Sequence, residues 1–269
     1  MIIFPNAKIN LGLHVLRKRN DGYHDIHTCM YPIPLKEGLE MIPAKSFGFT
    51  HSGIPIPGTS DHNLIVKAYQ LLLADFPKLT PVAAHLHKSI PIGAGLGGGS
   101  ADAAFALKLL NTLFSLNLKP KQLEDYASQL GSDCPFFIQN KPQMAEGRGE
   151  KLETLDLDLA GNWLFLVHPG IHIGTKEAYD GIQPKEREMG LKAILNDQST
   201  WKSNLVNDFE KGIFNSYPEI ADIKSKLYEA GAWYAAMSGS GSAVFGLFKD
   251  TPQGIKFPSH YFTFSEKLI

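Results

Sequence analysis

The chain is short of the residues and patterns that mark several large classes of protein. It has two cysteines in 269 residues, Cys29 and Cys134. Two thiols by themselves build neither a disulfide framework nor a zinc site. They are expected to be reduced and partly buried, as in a cytoplasmic protein. An excess of one charge is missing too. The net charge of −1 leaves no footprint for nucleic acid or for an anionic membrane. The densest basic cluster, Arg17-Lys18-Arg19, runs into Asn20-Asp21-Gly22 and reads as a solvated turn. No apolar run approaches the roughly 18 residues that a membrane span needs. The apolar start, Met1 to Phe4, is interrupted by Lys8 and Asn10 before a signal-peptide core can form. Internal repeats are absent. These absences leave a soluble, cytoplasmic protein of about two domains, whose oligomeric state the sequence does not fix.

What is present begins with a strand. From Ala7 to Leu16, Ile9, Leu11, Leu13 and Val15 alternate with Lys8, Asn10, Gly12 and His14, the period-two pattern of a strand with one buried face. Short β-prone pieces follow at Leu39–Ile42 and Phe47–Thr50, and residues 63–76 carry apolar side chains at helical spacing. Val82 to Lys88 reads as a strand. A helix of about 15 residues is expected after Ser100, with Ser100 as its N-cap and Asp102 in its first turn. A second helix starts at Lys119-Pro120 and stops at Gly131, before Ser132-Asp133-Cys134-Pro135 and a strand-like Phe136-Phe137-Ile138. Gly, Glu, Lys and Asp accumulate between Gln139 and Leu159, which predicts domains at 1–152 and 153–269. The second half offers a strand at Trp163–Val167, helices from Thr175 and over 220–230, and an exposed charged stretch at 184–192. A second glycine-rich turn, 237–242, precedes the strand Ala243–Phe248. Strands and helices mix without regular βαβ alternation, so the fold class is α+β.

The densest glycine run lies between the strand at 82–88 and the long helix. It comprises Pro91, Ile92, Gly93, Ala94, Gly95, Leu96, Gly97, Gly98, Gly99, Ser100 and Ala101. Glycine lets the backbone approach a ligand closely, and backbone N–H groups ahead of a helix form an anion site, usually for phosphate. Two familiar phosphate templates fail here. Gly93-Ala-Gly-Leu-Gly-Gly98 fits a dinucleotide fingerprint, but no acid stands at a strand end about 20 residues later. Gly93 to Ser100 approaches a Walker A loop, but Gly99 occupies the place of its lysine. A Gly/Ser linker would lack the flanking strand and helix.

The fuller string resembles the phosphate loop of the superfamily that includes galactokinase, homoserine kinase, mevalonate kinase and phosphomevalonate kinase. Four further motifs, in order from residue 5 to residue 241, are similar to one branch of it, the 4-diphosphocytidyl-2-C-methyl-D-erythritol kinases. They are Pro5-Asn-Ala-Lys8-Ile-Asn10-Leu, Asp21-Gly-Tyr23-His24, Gly131-Ser-Asp133-Cys-Pro-Phe-Phe137 and Met237-Ser-Gly-Ser-Gly241. The resemblance implies a two-domain GHMP kinase fold. Its N-terminal part would be ribosomal-protein-S5-domain-2-like and its C-terminal part a ferredoxin-like α/β sandwich. It also implies ATP with Mg2+ and a small-molecule cytidine diphosphate substrate phosphorylated on its 2-hydroxyl.

From the residues alone, Asp133 is either a cap for the following turn or a general base, and Lys8 either a solvated lysine at a strand end or a cation for phosphoryl transfer. The resemblance implies the catalytic role for both, with Lys8 orienting Asp133 and stabilising charge, and places Asn10 at the same site. It matches Tyr23 and His24 to cytidine-binding positions, Tyr179 to the aromatic on the opposite side of the base, and Asn63 to a position near the adenine. Ser100 is the side chain it offers to magnesium, while Asp102 is either a second donor or a helix-start residue. Ala101 stands where many relatives carry serine, which removes one hydroxyl near the phosphates. His85 and His87 alternate on a strand without further ligands nearby and read as structural. Two alternatives remain open, a sibling small-molecule kinase and a non-catalytic nucleotide-binding relative.

Overall fold

The computed structural model describes residues 1–269. Five strands come first: β1 (Ile2–Ile3), β2 (Asn6–Lys18), β3 (His24–Lys36), β4 (Gly38–Pro43) and β5 (Gly48–Gly53). Helix α1 (Leu64–Asp75), strand β6 (Val82–Lys88) and helices α2 (Gly98–Leu113), α3 (Pro120–Leu130) and α4 (Phe136–Gln139) follow. Next are β7 (Gln143–Glu146), β8 (Lys151–Thr154), β9 (Trp163–His168), α5 (Thr175–Tyr179), α6 (Leu191–Leu195) and α7 (Trp201–Asn204). The chain closes with α8 (Phe209–Ser216), α9 (Pro218–Glu229), β10 (Tyr234–Met237), β11 (Val244–Phe248) and β12 (Phe262–Lys267). Two compact units result, each built from separate stretches. Met1–Ala7, Leu35–Ile92 and Gly97–Lys141 make the first, and Lys8–Pro34, Gly93–Leu96 and Pro142–Ile269 the second.

The first unit holds a sheet of order β1-β4-β6-β5. Strand β4 is antiparallel to β6, with Leu39 opposite Leu86 and Met41 opposite Ala84, and these residues are buried. Strand β5 runs parallel to β6, a pairing that needs a crossover, here α1. That helix forms where the apolar spacing predicts it. The Asn63 side chain caps it by accepting from the Ile65 N–H at 2.8 Å. Helix α2 packs against α1, α3 and β4 along a face of buried alanines, leucines and Phe105.

Three expectations are corrected in this unit. Ser100 is not the N-cap of α2: Gly97, left-handed at φ 72°, takes that place and the helix begins at Gly98. Ser100 is therefore the third helical residue, and Asp102 the fifth, beyond the first turn. The segment Phe136-Phe137-Ile138 is helical, not a strand. Pro135 already has helical angles, φ −58° and ψ −33°, and three consecutive buried apolar residues cannot alternate between faces as a strand requires.

The second unit carries an antiparallel sheet of order β10-β11-β9-β12, and another of order β2-β3-β7-β8. In the first of these, Phe245 lies opposite Leu166 and Val244 opposite Val167, with α9 packed on β10 and β11. Its core joins Val167, Ile173, Ile213, Ile220, Leu227 and Met237 to Leu13, Val15 and Ile26 from β2 and β3. Strand β2 departs from expectation: Lys8, Asn10 and His14 are as buried as Ile9, Leu11 and Leu13. The alternation marks two buried faces of different chemistry rather than core against water. Arg17 and Arg19 pair with Asp25, and Arg19 also with Asp21, at the expected turn. Residues 184–190 lie outside regular structure and are mostly exposed. Both cysteines are free and buried. No helix is long and apolar enough to cross a membrane.

Candidate active site

The glycine loop leaves β6 and ends in α2. The N–H of Ala101 is taken by the Gly97 carbonyl at 2.8 Å, and no side chain caps the helix. The N–H groups of its first residues, Gly98, Gly99 and Ser100, therefore have no intrahelical acceptor. With the positive end of a 16-residue helix dipole behind them, they favour an anion. Within the loop, Gly95 has φ +77°, and a Cβ there would lie 2.0 Å from the Ser238 carbonyl oxygen. Only glycine fits that approach.

Lys8 reaches the same loop residue. Its Nζ donates to the Gly95 carbonyl at 3.0 Å and to Asn10 Oδ1 at 2.5 Å. Asn10 is fixed in turn, its Nδ2 donating to Thr28 Oγ1 at 3.0 Å and its backbone N–H to Ser238 Oγ at 3.2 Å. The Ser238 hydroxyl donates to the Gly95 carbonyl at 2.9 Å. Asn207 Nδ2 holds the 237–242 turn through the carbonyls of Met237 and Gly239, each at 2.8 Å. The two glycine-rich segments and the first long strand thus share one hydrogen-bonded cluster. Lys8 is only 3% exposed, so the solvated-lysine reading falls.

In the first unit, Asp133 lies in the turn that leads into α4. Pro135 holds the N-cap position of that helix. Next to it, the buried Cys134 thiol hydrogen-bonds Ser100. Burial, opposed by that bond, pushes the thiol up to about 12, so it stays protonated at neutral pH and contributes no nucleophile. The Ser100 hydroxyl is thereby placed beside the Asp133 segment.

A third group sits under the start of α2. Lys88 Nζ donates to Glu37 Oε1 and to Asp102 Oδ2, each at 2.7 Å. Glu37 Oε2 accepts the N–H groups of Ser89 and Ile90, both at 3.1 Å. All three charged side chains are buried. Burial disfavours the Lys88 ammonium, but Asp102 and then Glu37 more than offset this, so its pKa lies above the ordinary lysine value. Burial, with the Glu37 carboxylate adding to it, holds Asp102 well above the usual carboxylate range against the pull of Lys88.

The expected base-binding aromatics occupy the second unit. His24 stacks directly on Tyr179, centroids 4.7 Å apart and planes at 13°, and Phe209 meets Tyr179 edge-on at 4.8 Å. Tyr23 is 57% exposed, with the Arg148 guanidinium 5.0 Å from its ring centroid. Asn63 spends its side-chain oxygen on capping α1.

Comparison with known proteins settles what kind of molecule carries these parts. The GHMP kinases N terminal domain matches residues 63–141 and the GHMP kinases C terminal domain residues 191–257. A 4-diphosphocytidyl-2-C-methyl-D-erythritol kinase of Cytophaga hutchinsonii is 55% identical over 255 residues, 94% of each chain. The enzyme of the same name from Bacteroides fragilis is 53% identical over 92% of each. The chain belongs to the 4-diphosphocytidyl-2-C-methyl-D-erythritol kinase branch of the GHMP kinases. A solved structure of a 4-(cytidine 5'-diphospho)-2C-methyl-D-erythritol kinase agrees, with a TM-score of 0.79 at 33% identity over 92% of this chain and 90% of that one.

As a GHMP kinase, the chain is a small-molecule phosphotransferase that uses ATP. The residues expected from sequence divide between the two units. Asn63, Asp133 and the stretch Gly97–Ala101 belong to the first. Lys8, Asn10, Tyr23, His24, Tyr179 and Gly93–Leu96 belong to the second. Magnesium finds no cage of three or more acidic, histidine or cysteine ligands. Asp102 is engaged with Lys88, which leaves the helix-start alternative for it too simple and the second-donor alternative without a free approach. The donor set fits an ion that arrives on phosphate oxygens and keeps much of its water. His85 and His87 bond Ser52 and Thr50 along the sheet surface. Sequence reasoning missed Thr28, Asn207, Arg148, Glu37 and Lys88. Ser238 lay inside a recognised motif, whereas the acid–lysine pair of Glu37 and Lys88 is 51 residues apart and left no local signal.

Proposed function

We propose that the protein phosphorylates the 2-hydroxyl of 4-diphosphocytidyl-2-C-methyl-D-erythritol with ATP, giving the 2-phosphate and ADP, in the non-mevalonate route to isoprenoid precursors. The loop 91–101 cradles the triphosphate with its N–H groups. Asp133 accepts the proton of the 2-hydroxyl as that oxygen attacks the γ-phosphorus. The bond from the γ-phosphorus to the bridging oxygen breaks, and ADP carries the electron pair away. Lys8 orients Asp133 and offsets the charge that develops on the transferring group. Asn10 fixes Lys8 and meets the acceptor. Tyr23, His24 and Tyr179 recognise the cytidine, and Asn63 lies by the adenine. Ser100 offers the one protein oxygen to a magnesium ion, which would neutralise phosphate charge.

The observation that carries this reading is the buried Lys8, bonded both to Asn10 and to the Gly95 carbonyl of the phosphate loop. A buried cation fixed to the phosphate cradle suits the charge that develops in phosphoryl transfer. A coupled ADP-release assay on three acceptors tests it. Turnover is expected with the cytidine diphosphate compound and not with mevalonate or homoserine. Turnover on either of the latter alone would replace the substrate, and none on any would favour a non-catalytic relative.

A further inference from the structure

The chain that turns into the phosphate loop and the helix that leaves it are joined beneath by buried charge. On the incoming side, Glu37 Oε2 holds the N–H groups of Ser89 and Ile90. On the outgoing side stands Asp102, in the second turn of α2. Lys88 Nζ ties the two carboxylates together at 2.7 Å each. The helix start rests on that ammonium: a Cβ on Gly98 would lie 3.1 Å from Lys88 Nζ and 3.0 Å from Ile90 Cγ2. The whole assembly is 2–4% exposed, so it cannot touch a nucleotide itself.

We propose that Glu37, Lys88 and Asp102 form a positioning clamp that sets the affinity for ATP by fixing the two ends of the phosphate loop relative to each other. This rests on the assignment of the loop to ATP made above. Backbone donors bind an anion well only if they are aimed before it arrives, since the cost of ordering them on binding is subtracted from affinity. Glycines give the loop the freedom to approach phosphate and equally the freedom to wander. The clamp removes that second freedom at the residues on either side. Its use of ions rather than apolar packing fits the need for direction: a lysine holding two carboxylates, one of which holds two N–H groups, permits fewer arrangements than hydrocarbon contact.

Glu37→Gln tests the clamp, because the amide keeps the shape but weakens both the ion pair and the bonds to the Ser89 and Ile90 N–H groups. The expected result is a rise in KM for ATP and in Kd for ADP of about tenfold or more. KM for the cytidine substrate and kcat should stay within about twofold, a split that general loss of structure does not produce. Should Glu37→Gln not fold, Asp102→Ala reads the same split, since it removes the side chain that ties Lys88 to α2. An unchanged ATP KM in either folded variant, or equal rises for both substrates, would overturn the proposal. ADP binding is measured by calorimetry without acceptor, so the clamp is tested even if the cytidine substrate proves wrong. If the wild-type protein bound neither ATP nor ADP, the nucleotide reading itself would fail.

Discussion

Lys8 and Lys88 are both buried, and their partners set them apart. Lys8 lies in the second unit and bonds the Gly95 carbonyl of the phosphate loop itself. Lys88 lies in the first and bonds Glu37 and Asp102, which hold the chain before the loop and the helix after it. One ammonium is attached to the glycine loop proposed to meet phosphate, the other to the framework from which that loop is hung. On the reading proposed above, the same residue type, equally withdrawn from water, serves chemistry in one place and pre-organisation in the other. Burial alone does not tell the two apart; the identity of the bonded partner does.

Substitutions should separate the two roles, and the largest effect belongs to the chemistry. Asp133→Asn is expected to lower kcat by about 100- to 10,000-fold while ADP affinity, read by calorimetry, stays close to wild type. Undiminished turnover would remove Asp133 from the base role. On the framework side, Lys88→Met leaves two carboxylates together in the core and should cost about 3–5 kcal/mol in urea unfolding. The triple variant Glu37→Gln, Lys88→Met, Asp102→Asn leaves no charge in the cluster and should recover a large part of that loss. Equal destabilisation of single and triple variants would mean that packing, not charge balance, holds the cluster. Between the two lies Gly95→Ala. It forces a Cβ toward the Ser238 carbonyl at a left-handed position, and the backbone strain alone is worth about 1–3 kcal/mol. It should weaken ADP binding and lower Tm together.

The smallest effect concerns His14, on the same strand as Lys8. Its Nε2 has no hydrogen-bond partner, and burial first, then the charges of Arg187 and His27, lower its pKa from 6.5 to about 4. The folded protein resists a proton that the unfolded chain accepts. Stability from this residue is complete above pH 6.5 and is lost as pH falls toward 4, at up to about 1.4 kcal/mol per pH unit. His14→Gln should flatten that acid limb of the stability profile, whereas an unaltered slope would place the acid sensitivity elsewhere. The contrast with Lys88 is physical: a buried base with carboxylate partners keeps its proton, and one without them gives it up.

Much of this was legible in the sequence. The strand at Val82–Lys88, the helix that follows Asn63 and the glycine loop follow from periodicity and glycine content, whereas the roles proposed for Lys8 and Asp133 come from the resemblance of their motifs to the kinase family. The alternation in β2 predicts a strand, which forms, and a solvated face, which does not, because period two reports a difference between faces and not which face meets water. Serine's preference for the N-cap points to Ser100, but Gly97 turns left-handed and starts α2 earlier. Phe136–Ile138 is too short a run for periodicity to choose between helix and strand. The clamp escaped altogether. Glu37 precedes Lys88 by 51 residues, and no local pattern announces a contact made only when β4, β6 and α2 come together.

The division of labour between the two lysines is tested most directly by steady-state kinetics of Lys8→Met and Glu37→Gln with both substrates varied. Lys8→Met should lower kcat by about 100-fold or more with KM for ATP nearly unchanged. Glu37→Gln should raise KM for ATP with kcat nearly unchanged. If both variants altered the same constant in the same way, the two buried lysines would share one role and the account would be wrong.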